Sequence, residues 1–177
     1  RQGPAPAYLF LGAEPHQRGR CRRALMEAVL PEDERESGLT RYDLGESSIP
    51  AVIDDARSLS LFSARRLIIV SNAEAALPRQ RGEESEEETP APAGMEMLAA
   101  YMQDPSPGVV ILFEATRFDF EGDDKKKLDR VRKLYAAVQE TVELRRYSEQ
   151  EARREAQALA RAAGLRLEPS ALEIMTE

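Results

Sequence analysis

Tyr8-Leu9-Phe10-Leu11-Gly12-Ala13-Glu14-Pro15-His16-Gln17-Arg18-Gly19 is the stretch on which the fold turns. A short apolar run ends at a glycine and passes into a segment opened by proline, which fits a first helical turn. Strand, tight turn and helix in that order begin the α/β proteins that hold phosphates at a helix N-terminus. Outward from it, strand-like runs at residues 7–11, 40–44, 67–70, 109–113 and 141–144 alternate with helical patterns. That alternation predicts an α/β domain with a five-stranded parallel sheet built from crossover units. The third and fourth runs are continuously apolar, as strands covered on both faces are.

The intervening helices have readable ends. Leu25, Met26 and Val29 fall at helical spacing before Pro31, and Ser48 caps a helix carrying Val52, Ile53, Ala56 and Leu59. Residues 95–102 form a third helix and 125–139 a fourth, the latter with Leu128, Val131, Leu134, Tyr135 and Val138 on one face. After the fifth strand, Ser148 with Glu151 makes a capping box for an Ala- and Arg-rich helix that stops at Gly164. Ser170 with Glu173 makes a second. The expected organisation is an α/β domain over residues 1–147 and the opening of a helical domain over 148–177. Residues 79–94 carry five Glu against two Arg and end in Pro and Gly, so they are read as a disordered acidic loop. The chain starts at Arg1 without Met and ends at Glu177 inside a starting helix, so a piece of a longer protein is expected.

Composition narrows the chemistry. One Cys and one His among 177 residues rule out a Cys/His zinc site, a disulfide framework and a paired-thiol redox motif. They leave an all-carboxylate metal site open. His16 and Cys21 have no visible catalytic partner and are read as ordinary surface or core residues. The longest apolar runs are four or five residues, far below the roughly 20 of a membrane span, so a cytoplasmic protein without membrane contact is expected. A net charge of −7 argues against a stand-alone nucleic-acid binder.

The phosphate loop fails residue by residue. A P-loop needs a second glycine, a lysine and a hydroxyl five, six and seven positions after the first glycine, to cradle phosphate, reach its terminal oxygens and hold magnesium. Counted from Gly12, those positions are Gln17, Arg18 and Gly19. No shift of register helps, because the first lysine of the chain is Lys125. No strand ends in Asp-Glu: the third runs into Ser71-Asn72, and Glu114 stands alone after the fourth. No cofactor and no catalytic residue are therefore expected. Two other readings stay open. One is an enzyme with a divergent phosphate loop using Arg18 and Glu114. The other is a signalling interaction module with Asp43 or Glu114 at a strand end.

The order of the pieces, above all Ser58-Leu59-Ser60-Leu61-Phe62-Ser63-Ala64-Arg65-Arg66-Leu67 before a four-residue apolar strand, resembles the delta subunits of bacterial DNA polymerase III clamp loaders. Gly12-Ala13-Glu14-Pro15 and Pro105-Ser106-Pro107 support the likeness, which extends over residues 8–175. The resemblance implies a RecA-like AAA+ first domain, a small helical lid and a collar, with no ATP bound or hydrolysed. It implies that the first domain grips and opens the ring-shaped sliding clamp (beta) for loading on primed DNA, with tau/gamma and delta prime as neighbouring subunits. The clamp contact falls on Leu61 and Phe62, with Arg65 and Arg66 either flanking it or capping the following strand. Spacing adds one independent point. Side chains at i and i+2 of a helix point roughly 200° apart, so Leu59, Leu61 and Phe62 cannot all enter the core together. An exposed aromatic beside an aliphatic side chain suits a partner's pocket, whereas a helix ending near Leu59 would tuck the pair under the sheet.

Overall fold

The strand-like runs become β1 (Ala7–Leu11), β2 (Leu39–Asp43), β3 (Arg66–Ser71), β4 (Val109–Ala115) and β5 (Glu140–Glu143). They form one five-stranded sheet in the order β2-β3-β4-β1-β5, every pairing parallel. The computed structural model describes residues 3–59, 63–78, 93–168 and 171. The α/β class and five-stranded parallel sheet expected from the sequence are the fold observed. By contact the chain divides into Arg1–Leu144 and Arg145–Glu177.

Alternation along the strands explains the layers. Leu9, Leu11, Ile68, Val70, Ile111 and Phe113 point to one face of the sheet, while Phe10, Leu67, Ile69, Val110 and Leu112 point to the other. The first face is covered by α2 (Ile49–Arg57), α3 (Ala93–Gln103) and α4 (Asp124–Leu134), the second by α1 (Pro15–Val29). β4 is buried at every position, as a strand between two neighbours and two helical layers must be. The edge strands β2 and β5 are only partly covered. In the second unit, α5 (Glu149–Ala162) carries the expected capping box, Ser148 N donating to Glu151 Oε2 at 2.8 Å.

Three expectations shift. The fourth helix stops at Leu134 rather than 139: the chain turns there and buries both Tyr135 and Val138, whose i, i+3 spacing suits a turn as well as a helix. The second helix stops at Arg57, because Ser58 adopts an extended conformation and turns its Oγ back onto the Asp55 carbonyl at 2.7 Å. The third helix opens at Ala93 rather than 95, so residues 93–94 of the expected loop are helical; residues 79–92 and the Ser170–Glu173 capping box lie outside the described residues.

Candidate functional site

The turn after β1 is tight and already filled. Gly12 has φ +113°, and a Cβ there would sit 2.4 Å from the Leu144 carbonyl oxygen and 2.7 Å from the Phe120 ring. Gly12 N donates to the Ala115 carbonyl at 3.0 Å, tying the turn to the end of β4. The helix that follows is capped by its own chain: the Glu14 carboxylate accepts from His16 N at 3.2 Å and Gln17 N at 3.0 Å. Those first-turn amides are the donors a phosphate would use, and the partial positive charge of the helix end already faces a carboxylate. Gln17, Arg18 and Gly19 all belong to α1 itself.

One helical turn beyond Arg18, Arg22 reaches Glu114. Arg22 Nε donates to Glu114 Oε1 at 2.9 Å and Nη2 to Oε2 at 2.6 Å, a bidentate pair. Glu114 is 2% exposed, so it could not be carried as a bare ion; the guanidinium makes its burial tolerable. The strand-end carboxylate that both alternative readings would use is thus bound inside the domain, and by Arg22 rather than Arg18. Asp43, the other strand-end acid, sits two strands away at the end of β2. Both of its oxygens accept from Asn72 Nδ2 at 2.7 Å, and Oδ1 accepts from Gly45 N at 2.7 Å. The Asn72 amide, then the Gly45 N–H, hold the Asp43 carboxyl below the usual carboxylate range. Among the described residues no cluster of three or more His, Cys, Asp or Glu is arranged to hold a metal.

A different picture appears where α2 gives way to β3. Leu59, expected on the helix with Val52, Ile53 and Ala56, lies beyond the end of α2 and is 93% exposed, so of the three apolar side chains that spacing could not bury together this one is in solvent. Leu61 and Phe62 lie outside the described residues. Arg65 and Arg66 diverge in their surroundings. The Arg65 residue is exposed, and its N donates to Glu34 Oε2 at 3.3 Å. Arg66 is buried, its Nη2 donating to Asp55 Oδ1 at 2.6 Å and its Nη1 to the Asp55 carbonyl at 2.7 Å. Burial, then the neighbouring Asp55 carboxylate, push the Tyr42 phenol above its ordinary value. Arg22, Asp55 and Glu74 escape a reading of the sequence. Glu74, 8% exposed in a 3-10 helix over Ala73–Ala76, accepts from Arg117 N at 3.0 Å. Its position two residues after Ser71-Asn72, where an acid would follow β3, is the one signal that could have drawn notice.

Residues 8–141 match the family described as DNA polymerase III, delta subunit. The chain belongs to that family. The delta subunit of DNA polymerase III from Bacillus subtilis is 27% identical over 139 residues, covering 78% of this chain and 38% of that protein. Among solved structures, the Bacillus subtilis DNA clamp loader delta protein superposes with a TM-score of 0.58 at 21% identity, over 89% of this chain and 43% of that one. The chain therefore spans less than half the length of these two delta proteins, and the likeness in three dimensions is one of fold. Among the described residues, no helix is long and apolar enough to cross a membrane.

Proposed function

We propose that this chain is the clamp-engaging part of a clamp-loader delta subunit, whose work is mechanical rather than catalytic. The connection between α2 and β3 carries Leu61 and Phe62 into a pocket of the ring-shaped sliding clamp and favours the open ring over the closed one. A ligand shifts such an equilibrium only by its differential affinity for the two states, so the energy comes from clamp contact alone. The observation that supports this reading is Leu59, 93% exposed and two and three positions ahead, in the sequence, of the two residues that the family resemblance singles out. ATP turnover belongs to neighbouring subunits of the loader, which works on primed DNA in the cytoplasm. In this chain the α1 N-terminus is capped by Glu14 and the strand-end acid is held by Arg22, which supports a domain that works without nucleotide.

Surface binding to the sliding clamp of the same organism tests the reading. The unchanged protein binds, and Leu61→Ala with Phe62→Ala abolishes binding without moving the melting temperature. Equal binding by the double variant overturns the assigned wedge, and a folded protein that ignores the clamp overturns the function.

A further inference from the structure

We propose that Asp55 and Arg66 are positioning residues that clasp the two stems of the α2–β3 connection and hold it ready for the clamp. The inference rests on the clamp-binding reading above and adds the means by which the connection is held.

Arg66 is the first residue of β3 and Asp55 lies in the last turn of α2, so their contact closes the chain segment between them at its base. The contact is built with more than charge. Arg66 is only 9% exposed, and its guanidinium reaches the Asp55 carboxylate at 2.6 Å, the Asp55 carbonyl at 2.7 Å, and both the carbonyl and Oγ of Ser58 at 3.4 Å. Carbonyls in a last helical turn have no partner within the helix, and a planar guanidinium can take two oxygens in fixed directions. The outgoing stem is thereby fixed to the helix end.

The returning stem is gripped from its other sides. Arg66 N donates to the Gly108 carbonyl at 2.8 Å, and Arg65 N donates to Glu34 Oε2 at 3.3 Å. Two glycines allow the backbone to come this close: a Cβ on Gly108, whose φ is +75°, would stand 2.6 Å from the Ala64 carbonyl oxygen, and one on Gly38 would stand 2.7 Å from that of Arg65. So the exposed Leu59 stands on one fixed stem and Ser63 to Arg65 on the other. An exposed pair of charges would contribute little, but a buried arginine bound to the backbone oxygens of Asp55 and Ser58 sets where the chain leaves and re-enters the domain. Fixing those points removes ordering that binding would otherwise have to supply.

The experiment compares clamp affinity, melting temperature and amide hydrogen exchange for Arg66→Met, Arg66→Lys, Asp55→Asn and the double variant Asp55→Asn with Arg66→Met. At a temperature where the variants are folded, Arg66→Met is expected to weaken clamp binding by about tenfold, and the double variant by no more than that, since both residues act as one unit. Arg66→Lys recovers part of the loss. Exchange quickens at Ser63–Arg65 while Val110–Phe113 in β4 stay protected. A folded Arg66→Met variant with affinity within twofold of the unchanged protein overturns the proposal, as does weakened binding with unaltered exchange at Ser63–Arg65. Should Arg66→Met fail to fold, Asp55→Asn, which keeps the side-chain shape, decides by the same two criteria. If Leu61→Ala with Phe62→Ala leaves binding intact, the clamp-binding reading itself has failed, whatever the clasp variants do.

Discussion

Two places on this domain lie at opposite extremes. At the end of β1, the tight turn, the helix start and the strand-end acid have found partners within the domain: Gly12 N bonds Ala115, Glu14 caps α1, and Arg22 holds Glu114. At the end of α2, anchored stems carry an aliphatic side chain almost fully into water. The first is where an α/β protein of this kind would gather a small anionic ligand, and here it is satisfied from inside. The second would be an ordinary connection in most domains, and here it exposes what a folded chain usually hides. On the proposed reading, a fold suited to pocket chemistry serves as a mount while contact with the partner falls to the α2–β3 connection.

The sharpest way to break that contrast is at the connection. Loss of Leu61 and Phe62 together, if each anchors about 2 kcal/mol of binding, weakens clamp affinity on the order of a thousandfold, read by surface binding, with no change in melting. Next in size is Arg22→Ala, which leaves Glu114 buried and unpaired. Chemical denaturation is expected to report a loss of about 3 kcal/mol, toward the lower end for a buried pair because the Arg22 side chain is 40% exposed, while clamp affinity in the folded protein holds. If Arg22→Ala instead weakened clamp binding at unchanged stability, the two regions would not be separable. Gly12→Ala, forced to adopt φ +113° against the Leu144 carbonyl, is expected to cost about 2 kcal/mol by the same measurement. Calorimetry with magnesium-ATP is expected to show no binding. Micromolar affinity that vanished on changing Arg18 would restore the enzyme reading.

The smallest effect is a pH dependence at Asp43. Its folded carboxyl is held below the ordinary range, so the fold favours the charged form. The stability this contributes is present at neutral pH and is lost as pH falls below the ordinary carboxylate value toward the lowered one. Melting temperatures followed from pH 7 downward should fall less steeply for Asp43→Asn than for the unchanged protein. An identical slope would show that Asn72 and Gly45 do not hold the carboxylate as the geometry indicates.

The architecture was legible wherever a local pattern had one meaning. Residues 67–70 and 109–113 are too apolar for anything but covered strands, and Pro15, Ser48 and the Ser148–Glu151 box name helix starts directly. Patterns with two meanings misled: Tyr135 and Val138 fit a helix face, but the chain buries them in a turn. The failed phosphate loop could be read from Gln17, Arg18 and Gly19, yet its replacement could not. Arg22 and Glu114 are separated by 92 positions and meet only because β4 lies beside β1 under α1, a consequence of strand order and not of spacing. Asp55 and Arg66 are only 11 apart, but their pairing depends on Ser58 ending the helix early. The Arg-Arg doublet gave no hint that one member is exposed and the other sealed inside.

Glu14 carries a lesson about reversibility. Nothing in its side chain is unusual, yet it places a carboxylate at the mouth of α1, where an incoming phosphate would be repelled before any lysine could attract it. Grafting glycine at position 17, lysine at position 18 and threonine at position 19 would reproduce the letters of a P-loop and leave this gatekeeper in place. An engineer reviving such a site would have to start by deleting a cap, accept a weaker helix start, and then find Glu114 a new companion.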